Sequence, residues 1–197
     1  MFFLGILSLL QIWFLPGFLV ISFYKKINIL DKILIAFPLS IIFNYLIVFF
    51  LIFINAYNQI FFILIIFFEL TFIFYIHKKK IMDFREININ LKIKSKIFVL
   101  DILLIFLFII FLYLAISNIG EITFPGDPLG MWDKWAKSFA TSMIPENSMD
   151  YPQAYPILMS LTYILIGTLE IEFFSRSVGL AYPILIWPMM LRIINII

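Results

Sequence analysis

Apolar and polar residues come in long blocks along this chain and do not alternate at short period. Apolar runs over Met1–Tyr24, Ile33–Asn55, Ile60–Ile76 and Ile97–Ile116 are separated by brief polar or basic segments. About 20 residues at 1.5 Å each cross a hydrocarbon core, and a helix satisfies its own backbone in lipid, so these runs predict membrane helices. Two shorter runs, Tyr155–Leu169 and Val178–Ile197, follow a polar loop from Ser117 to Tyr155. The pattern predicts an all-α polytopic transmembrane helix bundle of about six spans. Residues 1–116 form four transmembrane helices with basic connectors, 117–155 an external loop, and 156–197 two further helices.

Breaks within the runs carry their own expectations. Pro16-Gly17 should kink the first span, because proline removes a backbone donor and crowds the preceding turn. Pro38, Ser40 and Asn44 in the second read as packing positions between helices. Tyr155–Leu169 is short: about 15 residues reach ~22 Å of a core ~30 Å thick. It should start below the surface or be extended by Ile171, Phe173 and Phe174. The last run is interrupted at Pro188, carries Arg192 and ends on Ile193-Ile194-Asn195-Ile196-Ile197, which reads as a truncation or a short member of a larger class.

Composition fits this picture: 64% of residues are hydrophobic and 13% charged, against about 25% charged in soluble domains. The absence of cysteine excludes disulfides, thioether-linked haem and thiolate metal sites. The single histidine, His77, abuts Lys78-Lys79-Lys80 and reads as part of an interfacial basic cluster. The net charge of +2 matters less than where the charges fall. Lys25, Lys26, Lys32, Lys78, Lys79, Lys80, Arg85, Lys92, Lys94, Lys96 and Arg176 make 11 of the 14 basic residues. Placing them in the cytoplasm puts the N-terminus and the 117–155 loop outside. The expected location is a bacterial inner membrane. Residues 77–96 read either as a solvated cytoplasmic loop or, through Ile89, Ile93 and Ile97 at helical spacing, as a surface segment.

Glu69 lies within the third span. An ionised carboxylate in lipid costs a few kcal/mol or more, so it is expected to be protonated or hydrogen-bonded to a neighbouring helix, a proton relay being the alternative.

The charges able to act on a substrate gather in the loop. Gly126-Asp127-Pro128 is a helix start, with Asp127 as N-cap and Pro128 in the first turn. Leu129, Trp132, Trp135, Ala136 and Phe139 then form an apolar stripe, predicting an amphipathic surface helix with its tryptophans at headgroup depth. Asp133 and Lys137, four apart, can pair. On this reading alone, Asp127 caps, the tryptophans anchor and the lysines touch lipid phosphates.

The same stretch, from Asp127 through Trp132 and Trp135-Ala136-Lys137 to Asp150-Tyr151-Pro152 and Pro156, resembles the first external loop of GT-C superfamily glycosyltransferases. That polytopic class includes protein O-mannosyltransferases and aminoarabinose transferases of lipid A. The resemblance covers about 30 residues. Trp135 stands where relatives often have a lysine, and the fourth span here would play the role of the first span in better-known members.

The resemblance implies transfer of a sugar from a polyprenyl-phosphate donor to a lipid, glycan or protein acceptor at the outer face of the membrane. Asp127 would be the catalytic base. Lys137, with Lys134, would bind the donor phosphate. Asp150, Tyr151 and Trp132 would support the acceptor. No cofactor is demanded, a divalent metal near Asp150 being the one candidate, and no nucleic acid is expected as partner. The alternative is a non-catalytic membrane subunit, a small transporter or an inactive truncated remnant, in which Glu69 and Arg192 would matter more.

Overall fold

A computed structural model describes residues 1–24, 27, 29–81, 99–117, 128–145, 152–182, 184–186 and 189. All regular structure among them is helical. The helices are α1 (Phe2–Trp13), α2 (Leu15–Ile21), α3 (Ile29–Phe53), α4 (Gln59–Ile81), α5 (Val99–Ser117), α6 (Pro128–Ala140), α7 (Ala154–Ile166) and α8 (Phe173–Ser177), the last followed by a 3-10 turn, Val178–Leu180. The basic connector beyond residue 81, Pro188 and Arg192 lie outside the described residues.

Among the described residues, two helices are long and apolar enough to cross a membrane, α3 over Asp31–Phe53 and α4 over Gln59–Ile76; the pair α1–α2 makes a third if it counts as one broken span. Their outward faces are greasy. Phe43, Leu46 and Phe50 on α3 and Leu64, Phe67 and Phe68 on α4 are exposed in the isolated chain, as lipid-facing positions are.

The break between α1 and α2 falls at Phe14, where the axis bends by 44° just ahead of Pro16. Proline at 16 gives the Ile12 carbonyl no N–H to accept from. The buried Asn44 of α3 compensates: its amide donates to the carbonyls of Gln11 (2.9 Å), Ile12 (3.4 Å) and Ser40 (2.8 Å). Ser40 accepts from the Gly17 N–H at 2.9 Å, closing an orphan donor of the α2 first turn. Gly17 is required here, since a Cβ would lie 1.9 Å from the Ala36 carbonyl oxygen. The polar residues of the second span thus stitch a broken helix to an unbroken one.

The core is α7. Ten of its thirteen residues are buried, and it packs against α1, α3, α4, α6 and α8. A helix enclosed by protein on every side is a core helix of the bundle, and the 13 residues of α7 are too few to cross a membrane by length alone. Its C-terminal end sits at the α3–α4 turn. Gln59 donates to the Leu165 carbonyl at 2.9 Å, and Gly167, at φ +79°, closes the helix with its N–H on the Tyr163 carbonyl.

Helix α6 begins at Pro128, where Asp127-Pro128 predicts a start. Its stripe has a different partner from the one expected, because Trp135, Ala136 and Phe139 are buried in the same core as Ile157, Leu158 and Leu161 of α7. Protein covers the face that was assigned to lipid headgroups.

Candidate functional site

The junction of α6, α7 and α8 gathers charges from segments far apart in sequence. On α6, Asp133 and Lys137 fall on one face four residues apart, and Lys137 Nζ lies 2.8 Å from Asp133 Oδ2. The same ammonium donates to Glu172 Oε1 at 2.5 Å. Glu172 precedes α8, one turn before Arg176, and its other oxygen accepts from Arg176 Nη2. Asp133 in turn accepts from the Tyr163 hydroxyl, which accepts from Ser175 Oγ at 2.9 Å. The result is one chain of contacts: Arg176, Glu172, Lys137, Asp133, Tyr163, Ser175.

Two cations and two anions cancel, and their burial is graded. Asp133 is 6% exposed, while the side chains of Lys137 and Glu172 keep 28% and 33% of their surface open. Desolvation alone would lower the Lys137 pKa. The hydrogen bonds to Asp133 and Glu172, together with their charges, outweigh it and hold the ammonium above its ordinary range. Glu172 goes the other way: the hydrogen bond from Lys137 comes first, and despite some desolvation the nearby Lys137 and Arg176 charges keep its carboxyl below the usual range. Lys137 and Glu172 are therefore both charged at neutral pH.

A cavity of about 270 Å³ adjoins this network, lined by Tyr57, Asn58 and Gln59 of the α3–α4 turn, Thr141, Tyr163 and Gly167 among others. Ser142 donates to the Tyr57 carbonyl at 3.2 Å, tying the end of α6 to that turn. The Tyr57 hydroxyl is 2.6 Å from Ser160 of α7. Polar amides and hydroxyls beside an ionic cluster can hydrogen-bond a hydroxylated molecule and face a negative charge on it.

Not all of the expected site residues converge here. Lys137 is at the centre of the network. Lys134 stands exposed, apart from it. Trp132 packs edge-on against Tyr155 with ring centroids 5.3 Å apart, whereas Lys137 lies over Tyr163 at 5.6 Å; the two tyrosines are eight residues, ~12 Å, apart along α7. Asp127, Asp150 and Tyr151 lie outside the described residues. Among the described residues, no group of three or more His, Cys, Asp or Glu is placed to hold a metal ion.

Glu172, Arg176 and Tyr163 were absent from the expected set. Arg176 had been counted with the cytoplasmic basic residues, on the far side of the membrane from Lys137. Its link through Glu172 to Lys137 removes that possibility, because two side chains bridged by one carboxylate share one end of the molecule.

Comparison with family models, curated proteins and solved structures finds no match for this chain.

Proposed function

We propose that the chain is a membrane glycosyltransferase that moves a sugar from a polyprenyl-phosphate donor to an acceptor hydroxyl at the outer membrane face, with its donor-phosphate site at the α6–α7–α8 junction. The observation that carries this reading is the Lys137–Glu172–Arg176 bridge, which fixes two cations next to Tyr163, a residue that also lines the cavity with Asn58, Gln59 and Thr141. Its pattern of Asp127, Trp132, Lys137 and Asp150-Tyr151-Pro152, which resembles the GT-C external loop, gives the same reading from the sequence side.

In the proposed reaction Asp127 takes the proton from the acceptor hydroxyl as its oxygen attacks the anomeric carbon. The bond from that carbon to the phosphate oxygen breaks, and the polyprenyl phosphate departs with the electron pair. A phosphate leaving group needs positive charge more than it needs a proton. Lys137 and Arg176, held in place before substrate arrives, supply that charge as the departing phosphate takes over from Glu172 as their partner. Asn58, Gln59 and Thr141 offer amide and hydroxyl partners for the sugar. The exposed apolar faces of α3 and α4 suit the prenyl chain.

The test uses the full chain in proteoliposomes with a panel of polyprenyl-phosphate sugars. Asp127→Asn should abolish transfer with expression and helix content unchanged; transfer at the wild-type rate would sink the proposal.

A further inference from the structure

Glu172 organises the cations of the site and also occupies the position of the ligand assigned to them. Its two oxygens bridge the Lys137 ammonium and the Arg176 guanidinium, as two oxygens of a phosphate would. Carboxylate and phosphate cannot both hold the pair. A lipid phosphate therefore enters only as the carboxylate leaves.

The local structure lets it leave. Of the three side chains Glu172 is the most open, with 33% of its surface accessible against 28% for Lys137 and 18% for Arg176. Its backbone is tied down independently of the carboxylate: its carbonyl accepts from the Ser175 hydroxyl at 2.8 Å and from the Arg176 N–H at 3.0 Å. Rotation about side-chain bonds can thus turn the carboxylate to solvent while the start of α8 keeps its place. Lys137 stays as well, because its ammonium remains 2.8 Å from Asp133 and over the Tyr163 ring at 5.6 Å.

An uncovered pair of cations at a membrane surface would take any anionic headgroup. A resident carboxylate lowers the affinity for every such ligand by one factor, the fraction of time the pair is uncovered. A ligand with contacts beyond its phosphate overcomes that factor. The cavity that shares Tyr163 with the network offers such contacts to a sugar through Asn58, Gln59 and Thr141.

We propose that Glu172 is a displaceable counter-ion that sets the selectivity of the phosphate site, keeping out bulk anionic lipids that have only a phosphate to offer. The inference rests on the reading of this junction as a donor-phosphate site, though not on sugar transfer itself.

The experiment titrates dihexanoyl phosphatidylglycerol into the full chain in a maltoside detergent at neutral pH and follows binding by phosphorus NMR line width. Glu172→Gln should bind the lipid at least about tenfold more tightly than the wild type, the worth of one hydrogen bond between charged groups. Removing a residue that only braced the fold would bring no gain. Adding Lys137→Met to Glu172→Gln should abolish the gain, which assigns it to this pair. Glu172→Asp, one methylene shorter in its reach across both cations, should shift affinity in the same direction, and it decides the matter if Glu172→Gln does not fold. Equal or weaker binding by the deciding variant, a gain that survives Lys137→Met, or a gain for inorganic phosphate alone overturns the proposal. Tighter lipid binding with no transfer from any polyprenyl-phosphate sugar would instead sink the proposed function and leave this role of Glu172 standing.

Discussion

Glu172 joins Lys137 to Arg176. One of its carboxylate oxygens is 2.5 Å from the lysine ammonium and the other accepts from the guanidinium, so a residue just before α8 ties the last turn of α6 to α8. A residue so placed is both a brace for the fold and an organiser of positive charge. Replacing it separates these roles. Glu172→Gln keeps the shape but removes the charge both cations share, and should lower stability by about 1–2 kcal/mol, discounted for the one-third exposure of the group. A urea titration of the detergent-solubilised protein reads this as a lower midpoint at unchanged slope.

The same pair sets a pH window. Glu172 has a depressed pKa when folded, so its stabilising contribution is present above the unfolded carboxyl value, about 4.3, and is lost as pH falls through the folded value. Lys137 has a raised one, so its contribution is complete below the unfolded value, about 10.4, and is lost as pH rises through the folded value. Melting temperature followed against pH should fall at both ends, and Glu172→Gln should flatten the acid limb. An acid limb unchanged in that variant would contradict the assignment.

Tyr163 provides a buried link. Its hydroxyl donates to Asp133 and accepts from Ser175, so Tyr163→Phe leaves a 6%-exposed carboxylate short of one donor. The expected loss is about 1–3 kcal/mol, measured by the same urea titration, with Lys137 still paired to Asp133.

The α2–α3 contact makes the sharpest structural prediction. Gly17→Ala would drive a methyl group into the Ala36 backbone, 1.9 Å from its oxygen and 2.6 Å from its carbon, and backbone in a packed helix cannot step aside. The variant should lose about 3 kcal/mol or more, or fail to fold. Asn44→Ala, which frees the carbonyls of Gln11 and Ile12, should cost about 1–3 kcal/mol. Size-exclusion profiles and melting curves of the two variants check both.

Much of this architecture was legible in the residues. The apolar blocks located α3 and α4, Pro16-Gly17 located the break in the first span, and Asp127-Pro128 located the start of α6. The Asp133–Lys137 pair followed from helical spacing. What could not be read was which apolar face meets lipid and which meets protein, since both demand the same side chains. That ambiguity laid Trp135 on the membrane. The shortness of the Tyr155–Leu169 run, with Ser160, Thr162 and Tyr163 inside it, was the available signal for a core helix. The Lys137–Glu172 pair, 35 residues apart, had no local spacing to betray it.

The proposed function requires that the ends of α6 and α7, the segment before α8 and the α3–α4 turn form one polar site at a single membrane face. The chain has no cysteine, so single cysteines can be introduced without background at Asn58, Thr141, Glu170 and Lys78, and labelled in sealed, oriented vesicles by a membrane-impermeant maleimide. Cysteines at Asn58, Thr141 and Glu170 should react from the same side, and the one at Lys78, at the far end of α4, from the other. Labelling of Thr141→Cys and Glu170→Cys from opposite sides would mean that no such site exists.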